Sequence, residues 1–161
     1  MENRKSIIIS ILSLVLLSLL IFLWNIPRTT VNNTINGVQI NGPIYQQEIG
    51  AFDQFFLTFS FENNGRTPVK ITKIDVELLI NGTDYNSQMT THSLGDIKPG
   101  NSGTFHRTVL LSNAPIGFRE NEVWNLTAVA EITGESEILF FKHEKSITET
   151  KSINWTVDFL D

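Results

Sequence analysis

Apolar and polar positions divide the chain into an apolar amino-terminal stretch and a longer region in which they alternate. Ile7 to Trp24 contains no charged residue, no Pro and no Gly, and it follows directly on Arg4 and Lys5. A helix needs roughly 20 mostly apolar residues to cross the hydrocarbon core of a bilayer. Residues 6–26 supply that length before Pro27. The pattern therefore predicts one transmembrane helix that contacts the lipid bilayer through residues 6–26.

The residues at both ends of this stretch bear on its processing and orientation. A cleavable secretory signal has a similar charged start, but its apolar region is shorter and ends in small residues. Phe22, Leu23 and Trp24 stand at that end here, which favours an uncleaved anchor. Two basic residues precede the stretch and only Arg28 follows it closely, which predicts a cytoplasmic amino terminus. We expect the rest of the chain to lie outside the plasma membrane.

The remaining sequence is long enough for one compact domain. Residues 1–26 are predicted as the anchor, residues 27–37 as a polar tether rich in Thr and Asn, and residues 38–161 as the extracytoplasmic domain. Domains commonly contain about 100–150 residues, so a second domain is not expected.

Alternation with a period of two predicts β-strands in this domain. Phe55, Leu57, Phe59 and Phe61 alternate with less apolar residues. In the next strand, from Pro68 to Ile80, the apolar positions change from odd to even numbers near residues 72–73. One extra residue reverses the face of every side chain that follows, so this change predicts a β-bulge.

Turn residues separate these strands from several others. Asn81-Gly82 is the strongest short hairpin signal, and turns are also predicted at Pro99-Gly100 and Gly134-Glu135. Further strands are predicted over residues 85–91, 104–111, 124–132, 138–141 and 153–159, with a loop over residues 113–121. Seven or eight short strands predict an all-β, antiparallel sandwich.

The turns also carry a resemblance to a known family. The segment LTFSFENNGRTPVKITKIDVELLINGTDYNSQ, followed by SLGDIKPGNSGTF, resembles the type 2 late-embryogenesis-abundant family, also called the WHy domain. In that family an Asn-Pro-Asn turn stands where this chain has Asn63, Asn64 and Gly65, and Pro68 stands where the family has its following Pro. Asn-x-Gly at this turn is also similar to adhesion-related immunoglobulin-like surface modules. Both resemblances imply a sandwich of immunoglobulin or fibronectin type III shape without catalytic residues.

Charge and composition exclude several classes of function. Taking Arg4 and Lys5 from the 12 basic residues and Glu2 from the 17 acidic ones leaves a net charge of about −6 from Asn25 onward. A nucleic-acid partner is therefore not expected. The chain has no Cys, which excludes disulfides, thiolate metal sites and a Cys nucleophile.

The sequence gives no pattern for a catalytic or metal site. His92, His106 and His143 lie in separate segments without the spacing of zinc ligands. Ser93, Asp96 and His106 are the residue types of a catalytic triad, but no nucleophile motif surrounds the serine. We therefore expect no enzyme activity, no catalytic residue, no cofactor and no metal.

Four Asn-x-Thr sequons are candidate glycosylation sites. Their asparagines are predicted to lie in the tether, in a hairpin turn and on the outward faces of two strands, which would make them accessible: Asn32, Asn81, Asn125 and Asn154.

These observations predict a membrane-anchored β-sandwich that acts as a binding, structural or stress-protective module of the cell envelope. Two alternatives remain open. Lys5-Ser6 before the apolar stretch is similar to the processing site of archaeal prepilins, so the chain could be a pilin-like filament subunit cleaved near Ser6. It could also be an accessory subunit of a larger membrane complex.

Overall fold

The computed structural model describes residues 2–46, 54–84, 89–110 and 122–156. These residues contain one long amino-terminal helix and eight strands, in this order: α1 (Glu2–Asn36), β1 (Gln39–Gln46), β2 (Gln54–Glu62), β3 (Val69–Ile80), β4 (Thr83–Asp84), β5 (Met89–Ile97), β6 (Ser102–Leu110), β7 (Val123–Ile138) and β8 (Phe141–Thr156).

The strands form two antiparallel sheets that bury a common core. One sheet has the order β1-β2-β6. In the other, β3 pairs with β7 along one edge and with β4 and β5 along its other edge, and β8 pairs with β7. The ring of Phe55 on the first sheet meets the ring of Trp155 on the second edge-on, with centroids 5.6 Å apart. The protein is thus mostly antiparallel β-sheet preceded by one apolar helix.

The alternating strands bury the residues that the sequence predicted. Phe55, Leu57, Phe59 and Phe61 on β2 are at most 1% exposed. The predicted bulge in β3 is confirmed, because its pairing with both neighbouring strands shifts between Ile71 and Lys73. After that shift the even-numbered positions of β3 face the core.

Two predicted turns are also confirmed. Asn81 and Gly82 have φ angles of 50° and 78° and join β3 to β4, as expected for a turn with two left-handed residues. Gly100 follows Pro99 with a φ of 75°, and the amide of Asn101 donates to the carbonyl of Lys98 at 3.1 Å.

The prediction of a turn at Gly134-Glu135 is wrong. β7 continues through these residues to Ile138, and the chain reverses at Leu139-Phe140 before β8. A Cβ atom on Gly134 would lie 2.5 Å from Cδ1 of Ile35. Glycine therefore serves close packing against α1 here and does not mark a reversal.

Other boundaries differ from those predicted. β5 extends to Ile97, six residues beyond the predicted end of its strand at residue 91. The predicted strand over residues 138–141 is the hairpin between β7 and β8. Residues 85–88 and 157–159 of two predicted strands, and residues 113–121 of the predicted loop, lie outside the described part of the chain.

The predicted tether over residues 27–37 is instead the end of the helix. α1 continues through Pro27 to Asn36, and its buried positions are Pro27, Thr30, Val31, Thr34 and Ile35. This spacing is one face of an α-helix. Val31 and Ile35 are fully buried in the core of the β domain, so that the helix ends inside the domain.

Candidate functional site

Among the described residues, the junction between α1 and the β domain combines close packing, hydrogen bonds and a groove, and we take it as the candidate site. Two close approaches position the helix. A Cβ atom on Gly65 would collide with the side chain of Thr30, and one on Gly134 would collide with Ile35. The backbone amide of Arg66 also donates to Oγ1 of Thr30 at 3.3 Å. The buried face of the helix is therefore held at two positions where only a very small residue fits.

Asn63 fixes the turn against which the helix packs. It is fully buried, and its Nδ2 donates to the carbonyls of Thr67 at 2.9 Å and Ile97 at 2.7 Å. Its Oδ1 accepts from the amide of Gly65 at 3.0 Å. All the polar groups of this side chain are used, which is what a buried amide requires.

The backbone of Asn63 extends the same connection. Its amide donates to the carbonyl of Asn101 at 3.0 Å, and its carbonyl accepts from the amide of Gly100 at 2.7 Å. Asn63 therefore ties the turn after β2 to the turn before β6. Of the predicted family-motif residues, Asn64 and Pro68 are exposed, and Gly65 approaches α1.

An aromatic and cationic group lies where the exposed part of the helix meets the domain. The ring of Trp24 lies edge-on to the ring of His143 on β8, with centroids 5.0 Å apart. The guanidinium carbon of Arg28 lies 5.0 Å from the centre of the Trp24 ring, within the range of a cation–π contact. Residues 5–22 on the amino-terminal side are exposed.

A shallow groove of about 320 Å³ opens on another side of this junction. Phe22 and Ile26 supply its apolar part, whereas Asn33, Asn64 and Arg66 supply polar groups. The groove thus spans the change from apolar to polar surface along α1.

The hairpin between β7 and β8 carries ion pairs just behind its tip. Nζ of Lys142 lies 2.5 Å from Glu135 and Nζ of Lys70 lies 3.9 Å from the same carboxylate. The hydrogen bond that Lys142 donates to Glu135 raises the pKa of Lys142 above its usual value of 10.5. Lys142 is therefore charged across the physiological range of pH.

Three of the four sequon asparagines lie together at the opposite end of the second sheet. Asn125 on β7 and Asn154 on β8 are direct cross-strand partners, and Nδ2 of Asn125 lies 3.3 Å from Oδ1 of Asn154. The Asn81 side chain accepts from the amide of Asn125 at 2.9 Å. All three residues are exposed.

The fourth sequon has a different environment from the one predicted. Asn32 lies in α1 and not in a tether, and it is half-buried. The hydroxyl-bearing residue of its sequon, Thr34, is only 1% exposed. The packing of the helix against the domain therefore covers this sequon.

The histidines do not come together. Nδ1 of His106 on β6 lies 3.1 Å from Oγ1 of Thr58 on β2, whereas His143 faces Trp24. His92 lies on β5. Within the described part of the chain, no group of three or more His, Cys, Asp or Glu side chains could hold a metal.

Sequence reasoning missed the junction itself. The signal that could have revealed it is the spacing of Thr30, Val31, Thr34 and Ile35, which places four side chains on one helical face. Because two of them are threonines within a polar stretch, the segment was predicted as a tether.

Comparison with known proteins gives the fold alone. No family model and no curated protein matches the chain. The chain is similar to a protein from Archaeoglobus fulgidus, with a TM-score of 0.51 and 12% identity over 77% of this chain and 98% of that one. It is also similar to the structural genomics target SoR45, with a TM-score of 0.49 and 13% identity over 76% and 89% of the two chains. For AT1g01470 from Arabidopsis thaliana the TM-score is 0.44 and the identity 9%, over 78% of this chain and 82% of that one.

Proposed function

We propose that the chain is a single-pass membrane protein whose β domain is a non-catalytic binding, structural or stress-protective module of the cell envelope. The continuity of α1 carries this proposal. Its first part is long and apolar enough to cross a membrane, and its last turns end in the core of the β domain. Such a helix would hold the domain at a fixed position beside the bilayer.

Exposure along the helix supports the anchor. The large apolar side chains from Ile7 to Phe22 are mostly more than half exposed within the chain itself, so they are available for contact with lipid. Trp24 and Arg28 follow directly, and amphipathic aromatic residues are enriched at the membrane interface. With Arg4 and Lys5 on the other side of the span, the domain is expected outside the cytoplasm.

The proposed fold type is a sandwich of the immunoglobulin or fibronectin type III shape, related to the type 2 late-embryogenesis-abundant family. The turn formed by Asn63, Asn64 and Gly65 supports this relation, as do the turns at Asn81-Gly82 and Pro99-Gly100. Each lies between strands where the resemblance requires it. We also propose that Asn81, Asn125 and Asn154 are acceptors for glycans, because all three are exposed on the part of the domain remote from the helix.

Single-cysteine labelling tests the topology, because the chain has no native Cys. Lys98→Cys places a thiol in an exposed turn of the domain, and Lys5→Cys places one on the other side of the span. A membrane-impermeant maleimide added to intact cells should label the first variant, and the second only after lysis. Labelling of the Lys5→Cys variant alone in intact cells would reverse the orientation, and labelling of both would exclude a membrane span.

A second candidate is a subunit of a surface filament. A filament helix needs an apolar part for the fibre core and a continuation that packs on its own head domain. The unbroken run of α1 from Glu2 to Asn36 provides both parts. The mass of the native protein distinguishes the candidates, because cleavage before Ser6 would remove five residues, whereas an uncleaved anchor retains them. An accessory subunit of a larger membrane complex would also retain them, and would purify with its partners in mild detergent.

A further inference from the structure

Two large apolar side chains at the tip of the β7–β8 hairpin are exposed for no reason that the fold supplies. Leu139 is 76% exposed and Phe140 is 74% exposed. Outside α1, the other large apolar residues with comparable exposure in the described part of the chain are Ile44 and Val123. The hairpin tip is thus where two such residues are adjacent.

The backbone at this tip makes the choice of residues unusual. Leu139 has a φ of 55°, a left-handed conformation that is uncommon for a residue other than Gly, Asn or Asp. The same chain uses Asn81-Gly82 for its other two-residue hairpin, which is the combination such turns favour. Leu139 therefore costs conformational strain as well as apolar exposure, and strain of this kind is concentrated at functional sites. Phe140 adds a second exposed apolar side chain.

The contacts of α1 show which way the tip points. Ile35, near the end of the helix, packs at Gly134. Trp24, eleven residues closer to the apolar segment, packs at His143, whose partner on β7 is Ser136. From Ile35 to Trp24 the helix thus advances along the hairpin from the level of Gly134 to that of Ser136, towards the tip. The exposed apolar part of α1 and the hairpin tip lie towards the same end of the molecule.

We propose that Leu139 and Phe140 form a second membrane contact, which enters the headgroup region of the lipid surface beside α1. The proposal rests on the proposed function, namely that α1 crosses the bilayer. Phe140 lies three residues beyond His143, which is about 10 Å along a strand. The helix rises about 16 Å between Ile35 and Trp24 but advances only two residues along the hairpin, so the strands are inclined to the helix and only part of this distance is depth. If Trp24 lies at the interface, the tip therefore reaches the headgroup region, where interfacial apolar groups are buried.

The residues behind the tip limit how far it can enter. Glu137 and Lys142 are cross-strand partners, and both are exposed. The next cross-strand pair towards the turn is Ile138 and Phe141. The ring of Phe141 lies 4.4 Å from the ring of Phe140. The charged side chains of Glu137 and Lys142 would remain at the level of the headgroups, so the contact is restricted to residues 138–141. Together with α1 it would fix the domain at two points and restrict its rotation about the helix.

Site-specific fluorescence in the full-length protein tests this contact. Phe140→Cys, Leu139→Cys, Val123→Cys and Leu14→Cys each carry one thiol for an environment-sensitive nitrobenzoxadiazole label. The variants are reconstituted into phosphatidylcholine vesicles that contain a minor fraction of phosphatidylglycerol. Val123 is the matched control, because it is 61% exposed at the opposite end of the same strand. Leu14 reports the span.

We expect blue-shifted emission for labels at residues 139 and 140, and quenching by nitroxide-labelled lipids several-fold stronger than for the label at residue 123. The label at residue 14 should be quenched most strongly by nitroxides deep in the bilayer. If it is quenched while the labels at 139 and 140 are accessible to aqueous iodide, the tip lies in water and the proposal is overturned, whereas the anchor stands. Blue-shifted labels at the tip without lipid quenching would assign the tip to another copy of the protein. An unquenched label at residue 14 would overturn the anchor and the tip contact together.

Discussion

Among single residues, Asn63 has the most demanding position in the domain. Its side chain makes three hydrogen bonds in a fully buried site. Asn63→Ala would leave two carbonyls and one amide without their partners, and each buried unsatisfied group costs about 1–3 kcal/mol. We expect the free energy of unfolding to fall by at least about 3 kcal/mol, measured by urea denaturation in detergent.

The neighbouring Asn64 provides the matched control. It has the same side chain but is exposed, and surface substitutions usually change stability by about 0.5 kcal/mol or less. Equal losses for Asn63→Ala and Asn64→Ala would show that the turn is sensitive to any substitution, and would contradict a specific role for the buried amide.

Gly65 shows what a sequence can and cannot tell about one residue. Its place beside Asn63 and Asn64 predicted a turn, which is present. A turn motif also suggests that Gly supplies a positive φ, but Gly65 is not among the positive-φ residues. It is required because Thr30 occupies the space of a Cβ atom. That contact joins residues 35 positions apart, and neither the local pattern nor the turn chemistry contains it.

Among the elements, α1 differs most from its prediction. Apolar composition correctly indicated the part that could cross a membrane, and Pro27 indicated an end, because proline removes a helical hydrogen bond. The helix continues because its next two turns gain a buried face in the β domain. Tertiary packing thus overrides the local signal. The bulge in β3 was predictable, by contrast, because the change of its apolar positions from odd to even numbers lies within the strand's own sequence.

The packing of α1 on β7 predicts a coupled pair of substitutions. Gly134→Ala introduces a methyl group against Ile35, and overpacking of this kind costs about 1–3 kcal/mol. Ile35→Ala alone should cost about 2–5 kcal/mol. In the double variant the smaller side chain at position 35 accommodates the methyl group. The double variant should therefore lose at least about 1 kcal/mol less unfolding free energy than the two single variants lose together, as expected for residues in contact.

Val109 on β6 is the control for this cycle, because it is buried on the other sheet. Gly134→Ala and Val109→Ala should destabilise the protein additively within about 0.5 kcal/mol. Additive losses for Gly134→Ala and Ile35→Ala as well would mean that the helix does not pack against β7 in solution.

The pairing of β7 with β8 predicts a limit on glycosylation. Asn125 and Asn154 are direct partners whose side chains touch, so a glycan on one Nδ2 covers the other. In a host that glycosylates the chain, we expect molecules with a glycan at one of the two residues but not at both. Asn125→Gln should raise the occupancy of Asn154, as measured by glycopeptide mass spectrometry. Full occupancy of both sites on single molecules would contradict the folded arrangement at the time of modification.

For the whole molecule, alternation and turn residues predicted the all-β class and most strands before any contact was known. The site where the helix enters the domain was not predictable in the same way. It depends on Thr30 reaching Gly65, Ile35 reaching Gly134 and Trp24 reaching His143, and each of these contacts spans a long separation in sequence. The hairpin tip was missed for a related reason, since the glycine at position 134 indicated a reversal five residues too early.

The entry of the helix into the core predicts where an independently stable domain begins. A chain comprising residues 38–161 lacks Val31 and Ile35, which are fully buried, and each such side chain contributes about 1.5–3 kcal/mol. A chain comprising residues 28–161 retains both. We expect the longer chain to unfold at a temperature higher by roughly 10 °C, on the scale of about 2–8 °C per kcal/mol for domains of this size range. The matched control is the longer chain with Val31→Ser and Ile35→Ser, which keeps the length and should melt at or below the midpoint of the shorter chain. Equal midpoints for all three chains, measured by circular dichroism, would mean that residues 28–37 are a tether after all.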